Sequence, residues 1–385
     1  MIKSLLNKAK VTSKGYLYNY KGFSTNRKIV VIESDDWGGE RTPNKQSYLK
    51  LLENDLRVDK CAFSKYDTIE SQEDLVALFD VLKSVSDLNG NPAIITANFN
   101  LANPDYKKIK ESNFEAYYYI DYLQTLEKYN RTNVLELVKE GINKKLFFPQ
   151  SHSREHISPY LWLNEIKNNN HSLRKAFELE VYGLSRATSP EIVKFHLASQ
   201  LYRNSQELEF VSKTMQDGAK LFESIFGYPS LSFIAPVYTW NEANEEIMNN
   251  NGIKFIQSSF FQNYFKPFEI HAFSKKFHYT GQKNKWNQIY TVRNCLFEPA
   301  LSPNKDCVPS CLKEISMSFN MNKPAIISSH RLNYIGGLDQ NNRDNNLKQL
   351  GRLLFEIKKK WSNVEFMTSV QLGKLIADEY GIKKD

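Results

Sequence analysis

Cysteine is scarce in this chain of 385 residues, with four in all: Cys61, Cys295, Cys307 and Cys311. Only the last two lie close together, at a spacing that matches no common zinc ribbon, so they read as reduced thiols rather than a disulfide framework or a structural metal site. Long apolar runs are also lacking. None reaches the length needed to span a bilayer, and the opening stretch MIKSLLNKAKVTSKGY has lysines but no continuous apolar core of a signal peptide. A cytoplasmic address is the expectation. Ile2, Leu5 and Leu6 with Lys3, Lys8 and Lys10 suggest a short amphipathic helix, which adds peripheral contact with the inner face of a membrane as a second expectation. No Gly/Ser-rich linker, low-complexity tract or internal repeat divides the chain. The reading is therefore an extension over residues 1–27 followed by a single catalytic domain over 28–385.

The composition, 41% hydrophobic and 24% charged, excludes disordered and fibrous classes and provides for a sizeable core. The formal net charge is +8, but the lysines and arginines are scattered and no basic run accompanies a nucleic-acid motif. A nucleic-acid partner is not expected. The excess reads as a solubilising surface, and it is compatible with an acidic glycan, a phosphate-linked sugar or a membrane surface.

Short β-rich runs alternate with longer helical patterns, as βα units around a mainly parallel sheet do. The runs are KIVVIES at 28–34, AIITANF at 93–99, KLFFPQ at 145–150, LSFIAP at 231–236, IKFIQS at 253–258, IYTVRNCLF at 289–297, AIISSH at 325–330 and VEFMT at 364–368. Helical spacing marks 75–85, 134–142, 190–226 and 347–361, and YYYIDY at 117–122 reads as helical. The fold class expected is α/β, a distorted (β/α)7-8 barrel with helical insertions.

Chemistry gathers at the ends of the strands, where barrel active sites are assembled. Asp35 and Asp36 follow the first strand, His152 and His156 the third, and His330 ends a late one. His152 and His156, four positions apart, would lie on one side of a helical turn and reach a single ion. With Asp36 they make two histidines and one carboxylate, a set that leaves an open position for water. Asp35 would then point elsewhere on extended backbone, free to act as a base, and His330 could protonate a leaving group. Trp37, Tyr238 and Trp240 are candidates to stack on sugar rings. Asn98 and Asn100 are candidates to bond a substrate or close a turn.

The segments SDDWG, HSREH and SSH resemble, in that order, the first, second and last motifs of the polysaccharide deacetylases, the NodB-type carbohydrate esterases of the family 4 kind within the glycoside hydrolase/deacetylase barrel superfamily. The resemblance implies Asp35 as general base, Asp36, His152 and His156 as ligands of a divalent metal, and His330 as general acid. Zn2+ is the first choice of ion, with Ni2+, Co2+, Mn2+ or Fe2+ as alternatives. The implied activity removes N- or O-acetyl groups from a cell-surface glycan or its precursor; the substrate would be a polysaccharide, an oligosaccharide or a lipid-linked precursor. Two departures stand out. Trp37 follows the Asp pair where the family has a small residue, and the middle motif is reduced to Ala235, Pro236, Val237 and Tyr238, without its Arg. Either Arg154, Arg293 or Arg331 substitutes for that Arg, or the chemistry differs. Arg154 and Arg331 are also candidate substrate contacts. The alternatives are a glycoside hydrolase on the same barrel and metal, recruiting Glu33 or Glu155 beside Asp35, a catalytically silent glycan-binding protein, and a non-haem iron oxygenase.

Overall fold

Nine strands form one parallel sheet in the structure, a computed structural model that describes residues 15–267 and 273–381. They are β1 (Lys28–Trp37), β2 (Ile95–Phe99), β3 (Phe147–Ser151), β4 (Ser232–Ile234), β5 (Phe255–Ser259), β6 (Ile289–Arg293), β7 (Cys295–Leu296), β8 (Ala325–His330) and β9 (Val364–Met367). Each of the eight apolar runs contains a strand. The order is β6-β5-β4-β3-β2-β1-β8-β7, with β9 also paired to β1. Only Asn294 separates β6, which pairs with β5, from β7, which pairs with β8. The order thus returns on itself and the sheet is a nearly closed barrel, as expected.

The physical basis is plain in β1. Its sequence KIVVIESDDW is buried at every position but Lys28, because a parallel strand covered on both faces needs apolar side chains on both. Val30, Ile32, Ile95, Phe147 and Ile327 pack with residues of the surrounding helices α1 (Gln72–Lys83), α2 (Asn133–Asn143), α4 (Val308–Asn320) and α5 (Gln340–Lys360). Helix α3 (Ser205–Phe226) follows β3, and α6 (Ser369–Glu379) packs against β9 and β1. The helix starts are chemically marked. Ser71 and Asp74 form a reciprocal cap on α1, as Thr368 and Gln371 do on α6.

Two segments differ from expectation. The helix expected over 190–226 begins only at Ser205, where the Asn204 side chain accepts from the Glu207 amide. Upstream, Ile192 enters one apolar cluster and Ala198, Leu201 and Tyr202 enter another, so their spacing comes from bridging two cores. The run at 117–122 is extended over Tyr119–Asp121, paired with Ala102–Pro104, and Asp121 then caps the helix Tyr122–Lys128. The amphipathic pattern of residues 2–10 lies outside the described residues. Among the described residues, no helix is long and apolar enough to cross a membrane.

Candidate metal centre

Strand β1 carries both aspartates to the C-terminal rim of the barrel, where Asp35 lies in register with His330 of β8. The β1–β2 register shifts between Ser34 and Trp37, and Asp36 has φ +73°. Such left-handed backbone is uncommon outside glycine but tolerated by Asp. The two carboxylates part company as a result, Asp35 meeting Arg293 and Asp36 meeting the histidines. Strand β3 ends at Ser151, and its continuation is irregular, with Ser153 at φ +79°. His152 and His156 therefore converge from a loop rather than from the helical turn expected, their ring centroids 5.1 Å apart.

Asp36, His152 and His156 are all buried, and one ligand atom of each lies within 4.8 Å of the others. Asp36 Oδ1 faces His152 Nε2 at 3.4 Å and His156 Nε2 at 3.2 Å, yet this oxygen has no hydrogen-bond partner. His152 Nδ1 is 2.8 Å from the Ile234 carbonyl oxygen. A carbonyl only accepts, so Nδ1 holds a proton and Nε2 is the nitrogen turned toward the carboxylate. Burial keeps His156 below the ordinary histidine range, even against the pull of Asp36, which suits a neutral imidazole ligand. Two imidazole nitrogens and a carboxylate oxygen converging in this way are the donor set of a divalent cation with an open position. The residues fit the ion the motifs imply.

Asp35 sits beside this cluster with its carboxylate held by three hydrogen bonds. Arg293 donates from Nη2 to Oδ1 at 2.6 Å and from Nη1 to Oδ2 at 2.7 Å, while Asn98 Nδ2 donates to Oδ1 at 2.7 Å. Burial pushes this acid up, but the charge and hydrogen bonds of Arg293 more than reverse it and hold Asp35 at about 2. The same guanidinium donates from Nε to Glu33 Oε2 at 2.6 Å. Of the three arginines open to the role of the missing motif residue, Arg293 is the one that clamps Asp35, and it arrives from β6. Arg154 pairs with Glu155 and Asp217, and Arg331 with Asp67 and Glu70.

On the other side of Asp35, His330 Nε2 lies 3.8 Å from Oδ2, and its Nδ1 lies 2.5 Å from Glu298 Oε1. Asn333 Nδ2 donates to the second Glu298 oxygen at 2.7 Å. Burial lowers the imidazole, but Glu298 and the two aspartates raise it to about 9, so the ring is an imidazolium at neutral pH. Glu298 was missed in the sequence, where a Glu beside a Pro carries no motif.

Several expected contacts have other duties. Trp37 and Trp240 are 1% and 0% exposed; neither indole presents a face to a sugar. Trp37 donates to Ser34 Oγ at 3.0 Å and packs on Phe147, and Trp240 donates to Glu245 and stacks on His278. They are core residues because their N–H groups find partners inside. Arg331 is wholly buried and Arg154 is 5% exposed, each held by carboxylates, so neither has a free donor fork for a substrate. Tyr238 alone of the aromatics stays at the site, its hydroxyl accepting from Arg293 Nη1 at 3.1 Å. Asn98 is bonded to Asp35 and Gln257, and Asn100 donates to the His152 carbonyl oxygen. Glu33 and Glu155, the carboxylates a glycosidase would recruit, are tied up with Arg293 and Arg154.

No protein-family model and no curated protein matches the chain. Among solved structures, it is similar to a Mycobacterium smegmatis protein described as a polysaccharide deacetylase, at 8% identity over 94% of each chain and a TM-score of 0.44. It is also similar to the allantoinase PuuE, at 9% identity over 95% of this chain and 97% of that one, with a TM-score of 0.45. A third is a family 4 carbohydrate esterase pseudoenzyme from Bacillus anthracis, at 10% identity over 92% of this chain and 68% of that one, with a TM-score of 0.39. Likenesses this remote assign no chemistry; the functional argument rests on the site itself.

Proposed function

We propose that this chain is a metal-dependent hydrolase that removes N- or O-acetyl groups from a cell-surface glycan or its precursor. The observation that carries the reading is the buried cluster of Asp36, His152 and His156 with Asp35 and His330 beside it. A divalent ion held by those three residues, Zn2+ in the first instance, would acidify a water and polarise an acyl carbonyl. Asp35, fixed in its ionised state by Arg293 and Asn98, accepts the proton as the water attacks. His330, protonated through Glu298, returns a proton to the departing amine or alcohol. With Asp36 and the histidines buried and His330 23% exposed on its side chain, the acyl group enters past the imidazole. The protein would act in the cytoplasm on a polysaccharide, oligosaccharide or lipid-linked precursor.

The test is metal content of the purified protein together with acetate release from N-acetylated and O-acetylated glycans. Asp36→Ala or His152→Ala should abolish metal binding and release. Asp35→Asn should keep the metal and lose turnover; full activity in that variant would sink the mechanism. Bound metal with no acetate from any such glycan would remove the deacetylase reading.

A further inference from the structure

Arg41 is 5% exposed, in the loop that leaves β1 beyond Asp36. Its Nε has no hydrogen-bond partner, and its guanidinium forms no ion pair among the described residues. The other buried arginines behave otherwise: Arg154, Arg293 and Arg331 are each paired with carboxylates. An unpaired buried guanidinium is costly, and proteins seldom keep one without a use.

The fold makes room for it. A Cβ on Gly183 would lie 2.6 Å from both Cδ and Nε of Arg41, so any side chain at 183 would displace Arg41 from this position. The guanidinium lies over the Phe63 ring, 5.0 Å from its centroid, and the same ring meets the His330 imidazole edge-on at 5.1 Å. Arg41 and His330 thus flank one phenyl group at the rim of the candidate cleft. Asp36 and Asp67 attract this guanidinium through space, but neither reaches it as an ion pair: Asp36 faces the histidines and Asp67 pairs with Arg331.

We propose that Arg41 binds an oxyanion carried by the glycan, a carboxylate or a phosphate, next to the acyl group that is removed. The substrate is then an acidic sugar. The proposal rests on the hydrolase reading only for the position of the reacting group. A guanidinium matches planar oxyanions with paired hydrogen bonds, and Phe63 keeps the fork from swinging away.

The experiment is calorimetric titration of the full chain, metal-free and zinc-loaded, at low salt with glucuronic acid, inorganic phosphate and neutral glucose. Metal-free wild type should prefer at least one anion over glucose. Arg41→Gln should weaken that anion by about 10- to 100-fold, the loss expected for charge-assisted hydrogen bonds, and Arg41→Lys should retain part of it. Preference for glucuronic acid points to a uronic sugar, and preference for phosphate to a phosphorylated one. Gly183→Ala, which crowds Arg41, should weaken the same anion. No anion preference, or one unchanged in Arg41→Gln, overturns the proposal. Binding is read without turnover, so failure to release acetate would remove the hydrolase reading and leave this one standing.

Discussion

Replacing Arg293 with Gln should uncover how much of the site depends on one guanidinium. Arg293 is buried between two acids, 2.6 Å from Glu33 and 2.6 Å and 2.7 Å from the two Asp35 oxygens. Asp35 drops from 3.8 to about 2, burial opposing and Arg293 prevailing; at 1.36 kcal/mol per unit this is about 2 kcal/mol of stability at neutral pH. Because the folded value is depressed, that stability is present above the unfolded value near 4 and is lost as pH falls through about 2. In Arg293→Gln the buried Glu33 loses its cation and Asp35 keeps only the more distant His330 imidazolium, 3.8 Å away; breaking a buried pair typically costs about 3–5 kcal/mol. The sign now reverses. Carboxyls with folded values raised by burial take up protons more readily folded than unfolded, so the variant regains stability as pH falls from 7 to 5. Glu33 already tends this way, since its burial outweighs Arg293 and raises it. Urea denaturation of metal-free wild type and variant at pH 7 and pH 5 measures the gap, and histidine titrations common to both cancel. The expected gap is about 3–5 kcal/mol at pH 7 and clearly smaller at pH 5. A gap below about 1 kcal/mol, or one that widens on acidification, would refute the assignment of Arg293 as the cation that holds these two acids.

Three further outcomes follow from the same geometry. Glu298→Gln removes the main group that raises His330 to about 9, so the alkaline limb of the rate profile, where the acid loses its proton, should move down by a unit or more; an unmoved limb would exclude His330 as the acid. Trp37→Ala should cost about 3–5 kcal/mol of stability, because the indole is 1% exposed and packs on Phe147; a raised KM with unchanged stability would instead restore the sugar-stacking role. His196 and His278 are each pushed down to about 4 by burial. The unfolded chain therefore binds more protons between pH 6.5 and 4, and the stability these groups give above 6.5 should fade across that window; a urea midpoint flat over it would contradict their burial as neutral rings.

The sheet was legible because parallel strands covered on both faces must be continuously apolar, and Val30, Val31, Ile32, Ile326 and Ile327 announce this locally. The same logic located the rim, since polar residues that interrupt such runs fall at strand ends. The amino-acid order could not say which arginine serves Asp35. Arg154, Arg293 and Arg331 all end up buried against carboxylates, and the pair that matters joins residues 258 positions apart through the closure of the barrel at Asn294. The aromatics misled for a related reason. Trp37 and Trp240 stand beside motif loops in the chain, but an indole whose N–H can reach Ser34 or Glu245 gains more from the core than from water. Glu298 and Arg41 carried no signal, since a loop acid and a loop base read as solvated charges. What singles them out is three-dimensional: Glu298 lies against an imidazole it keeps protonated, and Arg41 is buried with an Nε that no acceptor meets. A sequence displays the residues a barrel needs to close, whereas the charges that tune its chemistry acquire meaning only from the partner they meet or lack.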